Sequence, residues 1–273
     1  MSFNETLAKG RMLYRSGIAA LDQEVPQGFP RNAFGVIRGP GGGGKSVILN
    51  ELALRLMNQG KRVVYVCLED PPVSVLENMV SLGWDYTLLD KGLLTLVDCF
   101  SNQVLRRAEA REHTVLVRNP MEPQEITDAI YEAVRANGPN NLGGIFADSM
   151  TELFFQSHPF KAVNALKAWR ATFSKELSIP FWATYHTGLQ QFAAYDDMIS
   201  YSSDIILDTR HEPAFMRAGV LIKQLRVTKL KGAPHVPIWV TFEVRPTGIE
   251  EMSLDDIRQI ARNIVKYEFP QEE

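Results

Sequence analysis

Eight consecutive residues, Gly39-Pro40-Gly41-Gly42-Gly43-Gly44-Lys45-Ser46, have the spacing G-x-x-x-x-G-K-[ST]. Glycines at these positions let the backbone wrap so that successive N–H groups point inward at phosphate oxygens. The helix that follows presents its positive end to the same anion. Lys45 then reaches the β- and γ-phosphates, and the Ser46 hydroxyl ligates Mg²⁺. The pattern predicts ATP and Mg²⁺ as ligands, with Gly41, Gly42, Gly43, Gly44, Lys45, Ser46 and Val47 as the nucleotide-binding residues. A glycine-rich turn before an ordinary helix is the alternative; it gives no reason for Lys-Ser directly after the last glycine.

A phosphate cradle needs a carboxylate to hold the metal's water shell, ideally at the end of a neighbouring buried strand. Asp148, which closes the apolar run LGGIFAD, is that candidate metal residue together with Ser46; an Asp capping the following turn is the alternative. Hydrolysis of ATP to ADP and phosphate also needs a group that orients or deprotonates the attacking water. Glu69 and Asp70, at the end of KRVVYVCL, are the catalytic candidates, against the simpler reading of an acidic turn before Pro71-Pro72. His186 and Thr184, at the end of FWATYH, are candidate sensors of the γ-phosphate, with a plain strand-end histidine as the alternative. His113, His158 and His211 have no metal-ligand spacing.

Elements must deliver these groups to one place. AFGVIR (33–38) reads as a buried strand, and VILNELALRLMNQG, after the glycines, reads as a helix ending at Gly60. Residues 61–68 form a second strand, and Pro72 starts a helix reaching Gly83. A weaker strand lies near 94–100, a helix near 123–136 and a strand near 143–147. A helical pattern over 160–177 precedes a strand at 180–185. This alternation implies an α/β fold with a mainly parallel central sheet flanked by helices. The polar stretch 190–203 is expected to be a loop. SDIILDT, GVLIKQLRVTKLKG and PIWVTFEV read as consecutive antiparallel strands at the sheet edge, and 253–267 as a terminal helix capped by Ser253.

The chain has 273 residues, 45% of them hydrophobic, no internal repeat and two separated cysteines, Cys67 and Cys99. One domain over 1–273, with its core at about 14–249, is the simplest organisation. The N-terminus lacks the apolar run of a signal peptide. No stretch approaches the ~20 apolar residues of a membrane span, and the cysteines suit a reduced compartment, so a cytoplasmic location is expected. A net charge of -3 gives no general attraction for nucleic acid. Arg106, Arg107 and Arg111 are interleaved with Glu109 and Glu112 as on a solvated helix face, and Trp84 reads as a core-edge aromatic.

Taken together, RSGIAALDQEVPQGFPRN before the glycines, VVYVCLEDPPVSVLENMVSLGWD after them, GGIFADSM, and RVTKLKGAPH near the C-terminus resemble the single-domain KaiC-like ATPases of the RecA superfamily. The resemblance covers residues 14–249. It implies a RecA-type P-loop core and a homo-oligomeric ring, a hexamer in the expectation adopted here, with ATP at the subunit interfaces. It places the catalytic acidic pair on Glu69 and Asp70, and it implies that Lys229, Lys231 and His235 reach the phosphates of the adjacent subunit. Three positions depart from the family pattern: Glu-Asp replaces the usual Glu-Glu, Lys231 stands where arginine is common, and Ser200-Tyr201 stands where the clock kinase of the family has its Ser-Thr phosphorylation pair. Glu69 is therefore the preferred base. Autophosphorylation on Ser200, Tyr201 or Ser202 is weighed against a plain surface loop, which is preferred. The expected role is regulation through nucleotide-dependent binding of a protein partner. A RadA-like accessory that binds DNA, or a nucleotide-gated scaffold with little turnover, are the alternatives.

Overall fold

A computed structural model describes residues 12–83, 87, 91–103 and 113–268; Trp84, Arg106, Arg107 and Arg111 lie outside them. The chain runs β1 (Leu13–Tyr14), α1 (Ala19–Glu24), β2 (Phe29–Pro30), β3 (Phe34–Gly39), α2 (Lys45–Asn58), β4 (Arg62–Cys67), α3 (Pro72–Ser81), β5 (Leu94–Asp98) and β6 (Thr114–Leu116). It continues through α4 (Pro123–Asn137), β7 (Leu142–Asp148), α5 (Thr151–Gln156), α6 (Pro159–Trp169), β8 (Phe181–His186), α7 (Ala193–Ser202), β9 (Ile205–His211) and α8 (Pro213–Arg217). It ends with β10 (Lys223–Leu230), β11 (Val240–Arg245), β12 (Gly248–Glu251) and α9 (Leu254–Glu268). Helix α6 passes directly into a π-helical stretch, Arg170–Glu176, so the helical pattern expected over 160–177 is continuous in space.

Ten strands form one sheet in the order β12-β11-β10-β9-β3-β8-β7-β4-β5-β6. From β9 to β6 every neighbour is parallel, while β10, β11 and β12 add antiparallel strands beyond β9. The expected α/β architecture is therefore present, with two corrections. The segment SDIILDT is not an edge strand: β9 sits inside the parallel block, beside the strand that carries the glycine loop. The stretch 190–203 is not a loop. It is a short 3₁₀ turn, Gln190–Phe192, followed by α7. Phe192 and Ile199 are buried with Tyr195 packed against them, and Phe192 and Tyr195 meet Phe154 at ring-centroid distances of 5.8 and 5.4 Å. Residues at this spacing share one helix face, and their burial outweighs the polar composition between them.

The continuous apolar run of β4 shows how the two faces are built. Val63, Tyr65 and Cys67 enter the core under α1 and α2, while Val64 and Val66 enter the core under α4, α5 and α6. Both faces of the central strands are buried, so the only accessible parts of β3, β4, β7 and β8 are their ends. At their C-terminal ends the side chains of interest converge. No helix among the described residues is long and apolar enough to cross a membrane.

Candidate active site

Strand β3 ends at Gly39 and α2 begins at Lys45. The chain reverses between them through Gly42 at φ 72° and Gly44 at φ 91°, left-handed conformations that a Cβ would strain. Gly43 N–H closes the turn on Pro40 O at 3.2 Å. Lys45 is 3% exposed, and its ammonium donates to Pro40 O at 2.8 Å. It also lies 3.2 Å from Nδ1 of His186. Burial lowers the Lys45 pKa, opposed by the charges of Asp148 and Glu69. The loop thus holds one fixed, enclosed cation at its mouth.

Asp148 terminates β7, which lies between β8 and β4 in the sheet. Thr184, from β8, donates its hydroxyl to Oδ1 of Asp148, and Ser46 also hydrogen-bonds the carboxyl. From the other side Tyr65 Oη stands 3.4 Å from Oδ2. Burial pushes the Asp148 pKa up, and the Thr184 and Ser46 hydroxyls pull it down. The Asp148–Ser149 peptide is cis. The Asp148 carbonyl accepts from Leu68 N at 2.8 Å and Glu69 N at 3.1 Å, so the backbone of Glu69 is tied to the residue that carries the other carboxylate.

Glu69 Oε2 lies 3.5 Å from His186 Nε2. The hydrogen bond from His186 holds the Glu69 pKa below the usual carboxylate value despite partial burial, and the Lys45 charge adds to this. Because an ammonium only donates, Nδ1 of His186 must accept from Lys45. The ring proton then sits on Nε2, facing Glu69. Thr184 is spent on Asp148, so of the two sensor candidates only His186 faces both the loop lysine and the acid. Asp70 lines a cavity of about 210 Å³ with Ser46, Val47, Asn50, Tyr65, Glu69 and Asp148; it has no bond to the Lys45 cluster comparable to that of Glu69.

The donor set suits Mg²⁺. A hydroxyl and a carboxylate, both hard oxygen ligands, meet beside the loop mouth, and among the described residues no cluster of three or more His, Cys, Asp or Glu forms a closed cage. A small hard dication that retains waters and binds phosphate oxygens needs only such a partial shell.

Lys229, Lys231 and His235 are not brought to this subunit's own loop. Lys229 pairs with Ile206, and Ile206 with Val36, three residues before Gly39, which is about 10 Å along the strand. A bulge at Thr228 and the end of β10 at Leu230 interrupt the simple alternation expected to align the two lysines. They remain close, since Lys231 contributes, after burial, to the lowered pKa of Lys229. Lys229 Nζ donates to Ser200 O, and His235 follows the strand in an irregular, partly exposed segment. The Ser200 hydroxyl accepts from Arg38 Nη1 and donates to Asp196 O, each at 2.7 Å, whereas Tyr201 is 82% exposed.

Two residues were not read in the sequence as neighbours of the loop. His211, at the end of β9, places Nε2 3.5 Å from Gly41 O, and Thr209 abuts Gly39 and Gly43. Both follow from β9 pairing parallel to β3. Their only sequence signal is their place at the end of an apolar strand, which becomes informative once that pairing is known.

Comparison with known proteins agrees with the fold. The chain is 28% identical over 236 residues to a UPF0273 protein of Aeropyrum pernix, covering 86% of this chain and 91% of the relative. It is likewise 28% identical over 244 residues to a UPF0273 protein of Thermotoga maritima, covering 86% and 93%. Among solved structures, a KaiC-like protein from Pyrococcus horikoshii superposes with a TM-score of 0.70 at 18% identity, over 89% of this chain and 99% of that one. The family model described as "ATPase: KaiC" matches residues 14–255, nearly the whole chain and all of the site just described. A glycine loop on a RecA-like sheet, matched from end to end by that model, means that the chain belongs to the KaiC family of ATPases.

Proposed function

We propose that the chain binds ATP with Mg²⁺ and hydrolyses it, with Glu69 as general base. The observation that carries this reading is the convergence of Lys45, Ser46, Glu69 and Asp148 at the C-terminal ends of β3, β4 and β7. Lys45 neutralises the β- and γ-phosphate oxygens. Ser46 and Asp148 would hold Mg²⁺, which when bound adds further charge neutralisation on the same oxygens. Glu69, kept ionised by His186, accepts a proton from the attacking water as oxygen bonds to the γ-phosphorus and the bond to the β-phosphate oxygen breaks, releasing ADP. Both loop cation and base are in place within one subunit, which favours turnover over a purely nucleotide-gated scaffold.

Assembly belongs to the same proposal. Lys229, Lys231 and His235 lie away from their own loop and suit the phosphates of a neighbouring copy in a ring. The nucleotide state of the ring would then set its affinity for a protein partner. Phosphate release by the wild-type protein and by Glu69→Gln tests the reading. The amide keeps the shape of the side chain but loses its basicity, so turnover should fall about 100-fold with ATP affinity retained. If Asp70→Asn is the crippling change and Glu69→Gln is mild, Glu69 is not the base.

A further inference from the structure

A buried hydroxyl and a buried amide stand behind Asp148, on the side away from Thr184. Tyr65 is 1% exposed and Asn50 is 4% exposed. Tyr65 Oη lies 2.8 Å from Oδ1 of Asn50 and 3.4 Å from Oδ2 of Asp148. The three groups come from three elements. Tyr65 is in the middle of β4, Asn50 is on α2 and Asp148 is at the end of β7. Asn50 follows Ser46 by four residues, so the two lie on the same face of the helix that opens with the phosphate-binding lysine.

The phenol has one proton and two acceptors within reach. The shorter contact has the phenol donating to the Asn50 amide oxygen at 2.8 Å, which fixes the hydroxyl on α2 against Asp148. With the Thr184 hydroxyl on Oδ1 and the Tyr65 hydroxyl 3.4 Å from Oδ2, the carboxylate is flanked by a hydroxyl from the strand on each side of β7.

We propose that Tyr65 and Asn50 are positioning residues that lock the Asp148 carboxylate to the helix carrying Lys45 and Ser46. Asp148 and the Ser46 hydroxyl thereby address one divalent cation in a fixed relative geometry. The inference rests on the reading of Ser46 and Asp148 as the Mg²⁺-holding pair. Neither residue touches nucleotide in this scheme; each acts through Asp148. Groups that orient a metal ligand from behind are worth ~10- to 100-fold in metal affinity.

The decisive measurement is the factor by which Mg²⁺ tightens ADP binding, taken from titration calorimetry of the full chain in excess Mg²⁺ and in EDTA. Tyr65→Phe keeps the ring and removes only the hydroxyl. It should lower the Mg²⁺ factor about 10-fold and leave the affinity in EDTA within twofold of wild type. Asn50→Leu, similar in volume, should do the same and should add little to Tyr65→Phe in the double variant, because the two act in series. Asp148→Asn separates the two levels of the reading. If Asp148→Asn abolishes the Mg²⁺ factor while folded Tyr65→Phe and Asn50→Leu leave it unchanged, the positioning role is overturned and the metal pair stands. If Asp148→Asn also leaves the factor unchanged, both fall. A general loss of packing would instead weaken ADP binding equally with and without Mg²⁺, which also overturns the proposal.

Discussion

His186 Nε2 stands 3.5 Å from a carboxylate oxygen of Glu69. The other nitrogen of the same ring is 3.2 Å from Lys45 Nζ, so one imidazole joins the loop cation to the acid. The Nε2 edge of the ring faces Glu69, and the hydrogen bond from His186 lowers the pKa of the acid.

His186→Ala removes that bond and should raise the Glu69 pKa. A base works only when ionised, so activity is lost as pH falls through its pKa. The acid limb of the kcat/KM profile should move to higher pH in the variant, and kcat at neutral pH should fall about 10-fold. The affinity for ATP, set by the loop, should change little. Steady-state kinetics at several pH values measure all three, and an unmoved acid limb would show that His186 does not tune the base.

Lys45→Ala should weaken ATP binding by about 2–3 kcal/mol, roughly 30- to 150-fold in Kd, the usual worth of a charged hydrogen-bonding group. The Lys45 ammonium is hydrogen-bonded inside the glycine turn, to Pro40 O. Calorimetry on a variant with wild-type circular dichroism gives the answer, and unchanged affinity would remove the loop from the nucleotide site.

The loop, its two flanking elements, β4 and β7 were legible in the sequence because each is an apolar run cut off sharply, by glycines after β3 and by an acid after β4 and β7. Residues at such cut-off points face the site, which is why Lys45, Ser46, Glu69 and Asp148 could be named from order alone. Helix α7 was not legible: its apolar anchors, Tyr195 and Ile199 with Phe192 just before it, count only when Phe154 is known to lie opposite. The contacts of His211, Thr209 and Asn50 depend on strand order and on helix facing. Both are non-local, and one sequence does not display them.

Glu24 gives the fold a pH dependence. It is 1% exposed, accepts from Val227 N at 2.8 Å through Oε2, and its Oε1 has no partner among the described residues. Burial raises its pKa to about 7, against the Val227 N–H and Arg226, which lower it. In the unfolded chain the group titrates near 4.3. Between these values the folded state binds the extra proton, so stability falls as pH rises through this window and levels off above pH 7. Glu24→Gln keeps an acceptor for Val227 and cannot ionise. Relative to wild type it should be nearly neutral at pH 4 and more stable by up to about 3–4 kcal/mol at pH 8. Urea unfolding at the two pH values measures the difference, and a gain of equal size at both would rule out ionisation of Glu24 as its source.

The last prediction concerns catalysis shared between copies. Lys229 and Lys231 lie close enough to lower the Lys229 pKa, together with burial, yet Lys229 is level with Val36 and not with the end of β3. Two neighbouring ammonium groups repel each other, and an anion between or beside them relieves that repulsion. Their own loop is about 10 Å farther along the sheet and already holds Lys45. In the proposed assembly, the phosphate they suit is one presented by another copy, where a cation would offset charge developing on the transferred γ-phosphoryl group. An exposed basic segment that merely discourages edge pairing is the competing account. Subunits carrying Lys229→Ala with Lys231→Ala should be inactive alone, as should subunits carrying Glu69→Gln. Mixed in equal amounts and allowed to exchange, they should regain part of the wild-type rate, because some interfaces then join an intact Glu69 to an intact lysine pair. Specific activity of the wild type should also fall on dilution as copies separate. Full activity in a demonstrably monomeric sample, or no recovery in mixtures shown to co-assemble, would assign the two lysines to the surface of a self-sufficient subunit.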